Sequence, residues 1–420
     1  MLASNEIKNV SEFSVSISEA FDRIKNICIT YLEKNEDGSY VIPVNRQRPV
    51  MLIGPAGIGK TDVPRQVAEK LDIGFVSYSI THHTRQSALG LPKIVTRTYE
   101  NEEVLTTEYT ASEIITSVRD EIERTGNKNG ILFIDEVNCA SETLAAPLLQ
   151  LFQNKTLGQS RIPEGWILVM AGNPPEYNKS VKDFDAVTRD RLRIINVEPD
   201  SKAWLEYADK HDINPAITAF IAADETMIHS FDEENNGILT PRGWEELSMT
   251  INSYEKHKFP ITSDLIAQYI GTPLIAKEFY NYYRLVKETI TEEEIDLIVS
   301  GKATKEIVSK LKGCKMNVRF MLISCMKKRL HKAALENDLS VCNEMMNNIY
   351  DFVRKLYGKG GELEVFMSGI LSDKAIVKAA CILKNDVFTD YLEEISNTEG
   401  SIKKQMKKMS LASKTKGDEG

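Results

Sequence analysis

The segment Gly54-Pro55-Ala56-Gly57-Ile58-Gly59-Lys60-Thr61 constrains this chain more than any other stretch. It satisfies G-x-x-x-x-G-K-[ST] at every fixed position and follows the apolar run Pro49-Val50-Met51-Leu52-Ile53, which stops abruptly at Gly54. Such a run reads as a buried parallel strand. Thr61 to Leu71 reads as the helix beyond it. A strand, a Gly-rich loop and a helix in that order aim backbone N–H groups at phosphate oxygens. The glycines let the main chain come close to those oxygens. Lys60 would neutralise charge on the β- and γ-phosphates, and the Thr61 hydroxyl would hold Mg²⁺. Gly54 to Thr61, with Asp62 beside them, are the candidate cofactor-binding residues.

Three further strands follow the same logic: Gly74 to Ile80, Gly130 to Asp135 and Trp166 to Ala171, with a short fifth at Arg193 to Val197. Helical patterns lie between most of them, which argues for a parallel α/β sheet. The third strand, Ile131-Leu132-Phe133-Ile134, ends in Asp135-Glu136. A strand of that sheet would deliver Asp135 next to the phosphate loop, to bind Mg²⁺ through water, and leave Glu136 to orient and activate an attacking water. Hydrolysis, as opposed to passive binding, rests mainly on Glu136. Ala171-Gly172-Asn173-Pro174 closes the fourth strand with a polar amide that would lie beside the γ-phosphate.

Composition excludes several classes. The chain has 420 residues, enough for two or three domains at roughly 150 each. It is 42% hydrophobic, too apolar for a disordered protein. Its net charge of −9 makes nucleic-acid wrapping a poor default. No apolar run approaches the ~20 residues that span a bilayer. The N-terminus lacks a basic n-region and an apolar h-region, so no signal peptide is expected. The six cysteines form no C-x-x-C pair and read as reduced thiols of a cytoplasmic protein. His82-His83 is a poor metal clamp, because neighbours on a strand point to opposite faces.

Together the motifs GPAGIGKT, ILFIDEVN, VMAGNPP, AVTRDRL and LTPRGWEEL resemble the AAA+ ATPases. Within these they are similar to the MoxR-like group of the helix-2-insert clade. The resemblance spans roughly Val50 to Met249. It implies a P-loop AAA+ core, a parallel sheet flanked by helices, then an α-helical lid and a further helical C-terminal region. It implies ATP and Mg²⁺ as ligands. Asn173 matches sensor 1 and Arg242, in Thr240-Pro241-Arg242-Gly243-Trp244, matches sensor 2. Arg189 and Arg191 fall where the family places its arginine finger. Arg191 fits better because an apolar residue, Leu192, directly follows it. A finger in trans can be worth ~10³–10⁵ in rate.

The domains expected on this basis are a core over 1–199, with an N-terminal helix at Ser16 to Leu32 and an inserted hairpin at about 93–109; a lid over 200–274; a helical region over 275–400; and a flexible basic tail over 401–420. The inserted hairpin has strands Lys93 to Tyr99 and Val104 to Tyr109 around the turn Glu100 to Glu103, and in the resembled clade it faces a central pore. A second hairpin is expected around Lys155-Thr156-Leu157-Gly158. Past Pro199, strand-like runs vanish. The stripe Met345, Met346, Ile349, Phe352, Val353 reads as core. The basic run Lys327-Lys328-Arg329-Leu330-His331-Lys332 reads as the solvated face of a helix. The resemblance further implies a homo-oligomeric ring, usually a hexamer, that remodels a protein partner. A protein with a von Willebrand factor type A domain is the leading candidate. The alternatives are a DNA-associated motor, with Lys93, Arg97 and Lys155, or the run Lys327 to Lys332, as its basic channel, and a nucleotide-dependent scaffold with little turnover.

Overall fold

The computed structural model describes residues 14–393, other than 83, 178–180, 182–183, 233–236, 337 and 359. His83 and the basic tail therefore lie outside the described residues. By internal contacts the chain divides into two units. The first runs to Ala203 and includes Ile228–Phe231 and Thr240–Gly243; the second holds Trp204–Met227, Asp232–Leu239 and everything from Trp244 onward.

In the first unit, β1 (Val50–Ile53) and β2 (Gly74–Ser79) precede a hairpin of β3 (Pro92–Tyr99) and β4 (Glu102–Tyr109). β5 (Gly130–Asp135) is followed by a small hairpin of β6 (Thr156–Leu157) and β7 (Ser160–Arg161), then by β8 (Trp166–Gly172) and β9 (Arg193–Asn196). Five of these strands form one parallel sheet in the order β2-β5-β8-β1-β9. The expected parallel α/β core is therefore present. β1 lies between two strands that come late in the sequence. Its C-terminal end thus opens at a switch in strand order, where ligands of such sheets bind. Val197 leaves the sheet but pairs with Val15, whose N–H bonds the Asn196 carbonyl at 2.9 Å.

Alternation along the strands makes two cores. Ile131 and Phe133 pack on one face with Leu52 and Val169, under α1 (Ile17–Leu32) and α2 (Asp62–Leu71). Leu132 and Ile134 pack on the other with Met51 and Met170. There they meet Ile115 and Val118 of α4 (Glu113–Thr125) and Leu144 and Leu148 of α5 (Glu142–Asn154). Two short helices, α3 (Arg85–Leu89) and α6 (Ala186–Asp190), complete the unit. α1 begins where the sequence places it, because Ser16 and Glu19 form a reciprocal capping box.

The β3–β4 turn differs from expectation. It is two residues, Glu100 and Asn101, both left-handed at φ 48° and 70°, and the strands run on to Tyr99 and from Glu102. Two-residue turns with both φ positive match the twist of a hairpin.

In the second unit, α7 (Ser201–Ala208), which starts in the first unit, leads to α8 (Pro215–Ala223), with β10 (Ser230–Asp232) and β11 (Gly237–Leu239) beyond it. These strands correct the expectation that strands vanish after Pro199; at three residues each they are too short to show a period of two. α9 (Pro241–His257), whose first turn counts with the first unit, and α10 (Ser263–Ala267) follow. The remainder is helical: α11 (Pro273–Thr289), α12 (Glu292–Val299), α13 (Lys305–Lys312), α14 (Met316–Leu335), α15 (Leu339–Tyr357), α16 (Gly361–Ser372) and α17 (Lys374–Leu383). Met346, Ile349, Phe352 and Val353 of the expected stripe are buried on α15.

The basic run on α14 is not a solvated face. Lys327 pairs with Asp209 at 2.5 Å and Lys328 with Asp212 at 2.7 Å. Arg329 bridges Glu292 and Asp296, and His331 Nδ1 lies 2.6 Å from Asp373 Oδ2. These acids lie 33 to 118 positions away along the chain, so no local pattern announces them.

One packing detail fixes the sheet beside the site. Gly74 and Gly130 are paired across β2 and β5, and the Trp166 ring covers both. A Cβ at Gly130 would stand 2.7 Å from that ring. Gly130→Ala is expected to cost about 1–3 kcal/mol through overpacking, read from the midpoint of urea unfolding.

Candidate functional site

The phosphate loop joins the end of β1 to the start of α2. Gly57 and Gly59 have φ of +74° and +96°, a region open at little cost only to glycine. A Cβ on Gly54 would stand 2.4 Å from the Val197 carbonyl oxygen, and one on Gly57 2.8 Å from Thr240 Cβ. Ile58 is buried in the core beneath the loop, whereas Pro55 and Ala56 are half-buried.

Lys60 is 7% exposed. Its ammonium donates to the carbonyls of Gly54, at 2.8 Å, and of Pro55, and to Asn173 Oδ1 at 3.0 Å. Burial pulls its pKa down to about 8; Asp135 and Glu136 oppose that shift and the Arg242 guanidinium adds to it. Asn173 therefore touches the loop lysine directly, as β8 and β1 are hydrogen-bonded neighbours.

Thr61 Oγ1 donates to Asp135 Oδ2 at 2.7 Å, across from α2 to β5. Two hard oxygen donors side by side suit Mg²⁺, which takes few protein ligands and completes its shell with water and phosphate oxygens. Among the described residues no group of three or more His, Cys, Asp or Glu forms a protein cage for a metal. Thr61 and Asp135 would hold the ion, and it would offset charge on the phosphates.

Glu136 has left-handed backbone, φ 54°. Its Oε2 accepts from Thr81 Oγ1 at 3.0 Å and, more distantly, from Ser79 Oγ at 3.5 Å. Sequence reasoning missed this pair, which comes from the end of β2 and the turn beyond it. It also missed Asn138, whose Nδ2 donates to the Asn173 carbonyl at 2.8 Å and fixes the turn carrying that amide. A third omission is His229. Its ring lies 5.7 Å from that of Tyr177, its Nε2 is buried without a hydrogen-bond partner among the described residues, and burial together with Lys60 lowers its pKa.

Arg242 is exposed, and its backbone N–H donates to the Gly57 carbonyl at 3.2 Å. The first turn of α9 therefore rests on the phosphate loop. The Asp62 side chain is exposed and paired with Arg65 one turn along α2, whereas its backbone N–H donates to the Gly59 carbonyl at 3.1 Å. Arg189, on α6, and Arg191, its C-cap, are both exposed, and neither side chain has an ion-pair partner among the described residues. Asp185 caps α6 through the Thr188 N–H at 2.7 Å.

Residues 49–192 match the family model described as the AAA domain of the dynein-related subfamily. That is about a third of the chain, and it holds the phosphate loop, both carboxylates and Asn173. The match supports an AAA+ nucleotide-binding core in this segment, a class that generally hydrolyses ATP. No curated protein matches the chain.

Freeing Glu136 tests the site. Thr81→Ala removes one hydrogen bond to the carboxylate, worth about 0.5–1.5 kcal/mol. Basal ATP turnover is expected to rise by roughly two- to tenfold, measured by phosphate release. Unchanged turnover would show that the contact does not restrain Glu136.

Proposed function

We propose that this chain is an ATP-hydrolysing AAA+ remodeller, MoxR-like, that works as a ring on a protein partner. The observation that carries this reading is the convergence of Lys60, Thr61, Asp135, Glu136 and Asn173 at one edge of the sheet, with Arg242 beside them. Lys60 and the loop N–H groups bind phosphates. Glu136, released from Thr81, takes the proton of the attacking water, and Asn173 places that water. Arg242 responds to the γ-phosphate, so the nucleotide has a differential contact that can shift a conformational equilibrium.

Two exposed arginines without an ion-pair partner among the described residues support action on a second copy. A ring, usually six subunits, supplies that copy. The β3–β4 hairpin exposes Ile94 and Leu105 at 72% and 73%, which supports contact with a protein substrate in the pore of such a ring. A partner with a von Willebrand factor type A domain fits the MoxR-like reading. Against a DNA motor stands the ion pairing of the α14 basic run, which leaves little free positive charge there.

The test combines turnover and mass. Glu136→Gln is expected to lower ATP hydrolysis by about 10²–10⁴-fold while keeping nucleotide binding. Light scattering on that variant should show assembly toward a hexamer when ATP is added. Arg191→Ala should depress turnover in the assembled wild-type background more than Arg189→Ala. A variant that binds ATP and stays monomeric would refute the ring for this chain alone. DNA-stimulated turnover with a steep salt dependence would favour the motor.

A further inference from the structure

Away from the phosphate loop, the first unit holds a cavity of about 210 Å³ lined by Arg46, Gln47, Arg48, Lys155, Asp190 and Arg191, among others. Its named lining carries four cations against the single carboxylate of Asp190, in a chain whose net charge is −9. Among the described residues the ion-pair partner of Asp190 is Arg48, at 3.7 Å.

Lys155 is the unusual member. It is 6% exposed, yet among the described residues no carboxylate pairs with it. Its ammonium donates to Gln47 Oε1 at 3.2 Å. The Gln47 amide cannot turn round, because its Nε2 donates to the Tyr31 carbonyl at 2.8 Å and the Ile42 carbonyl at 2.9 Å. Gln47 thus presents a fixed, neutral acceptor and takes one of three ammonium N–H groups. The other two have no acceptor among the described residues. Burial brings the Lys155 pKa down to about 8, and Arg161 adds to that. Lys155 also sits at the C-cap of α5 with φ 56°, where glycine would be unstrained. A long cationic side chain is kept where both backbone and burial disfavour it.

We propose that this cavity is a second anion site, in which Lys155, Arg46, Arg48 and Arg191 hold a phosphoryl group. Arginine forks and a lysine point charge are the donors that phosphate recognition uses. The volume falls below the roughly 300 Å³ at which drug-sized ligand pockets begin, so it takes inorganic phosphate or the end of a nucleotide, not a whole nucleotide. The anion supplies the counter-charge that Lys155 lacks. It goes beyond the ATPase reading, since nothing in it depends on the loop.

The test uses the full chain carrying Lys60→Ala, which disables the phosphate loop in every sample. Failure of the ATPase reading therefore leaves it intact. Inorganic phosphate, titrated by ³¹P NMR at constant ionic strength, should bind saturably. Arg46→Ala, at an exposed position that does not threaten folding, should weaken binding about tenfold, and Lys155→Met more. Above pH 8 phosphate is already a dianion and the arginines stay charged, so the remaining loss of affinity with rising pH reports Lys155 and should disappear in Lys155→Met. A second arm finds the source of the anion. If a nucleotide on a second copy supplies it, Arg46→Ala will reduce ATP-driven assembly of the Glu136→Gln chain; if free phosphate does, assembly will be unchanged while the titration still weakens. Unsaturable binding, or equal affinity in both variants, overturns the proposal. So does binding of a single-stranded oligonucleotide that depends on Arg46 when phosphate itself does not bind.

Discussion

The buried ammonium of Lys60 organises the edge of the sheet that carries the candidate site. An ion at 7% exposure is costly unless hydrogen bonds replace its water. Here the Gly54 and Pro55 carbonyls and the Asn173 amide do so. Each of those acceptors is itself fixed. The loop carbonyls are held by left-handed glycines, and Asn173 by its own strand and by Asn138. The lysine thus ties β1 to β8 in an arrangement that phosphate oxygens can take over, because they would replace the loop carbonyls as partners and raise the lysine pKa by proximity of negative charge.

The same economy appears on the neighbouring strand. Thr61 and Asp135 satisfy each other with one hydrogen bond, and Thr81 satisfies Glu136. Neither pair is an ion pair, so neither must be broken at the cost of exposing a bare charge. A short polar contact of this kind holds a carboxylate in place while leaving it exchangeable with water and metal. That is the requirement for a site that alternates between bound and free states on a rigid sheet.

The fold of the first unit was legible because its information is local. Gly54 to Thr61, the apolar strands and the Ser16 cap all carry their signal within a few residues. Asp135, Glu136 and Asn173 were legible because strand ends in a parallel sheet converge on one edge. What remained hidden depends on distant pairing. Thr81 reaches Glu136 over 55 positions and Asn138 reaches Asn173 over 35. The α14 basic run looked solvated because its acids lie on other helices. Asp62 adjoins the loop through its backbone N–H, yet its side chain pairs with Arg65 on the same helix.

The two clusters of positive charge show why sequence counts of basic residues mislead. On α14, Lys327, Lys328 and Arg329 are each matched by carboxylates, so their field is largely cancelled at short range. Around Lys155, four cations stand against the single carboxylate of Asp190, and the central one is withdrawn from water. Low local dielectric strengthens what an anion gains there, whereas on α14 the carboxylates already take up the positive charge. Attraction for a phosphoryl group is therefore concentrated where the sequence shows an isolated lysine after a helix, not where it shows a basic run.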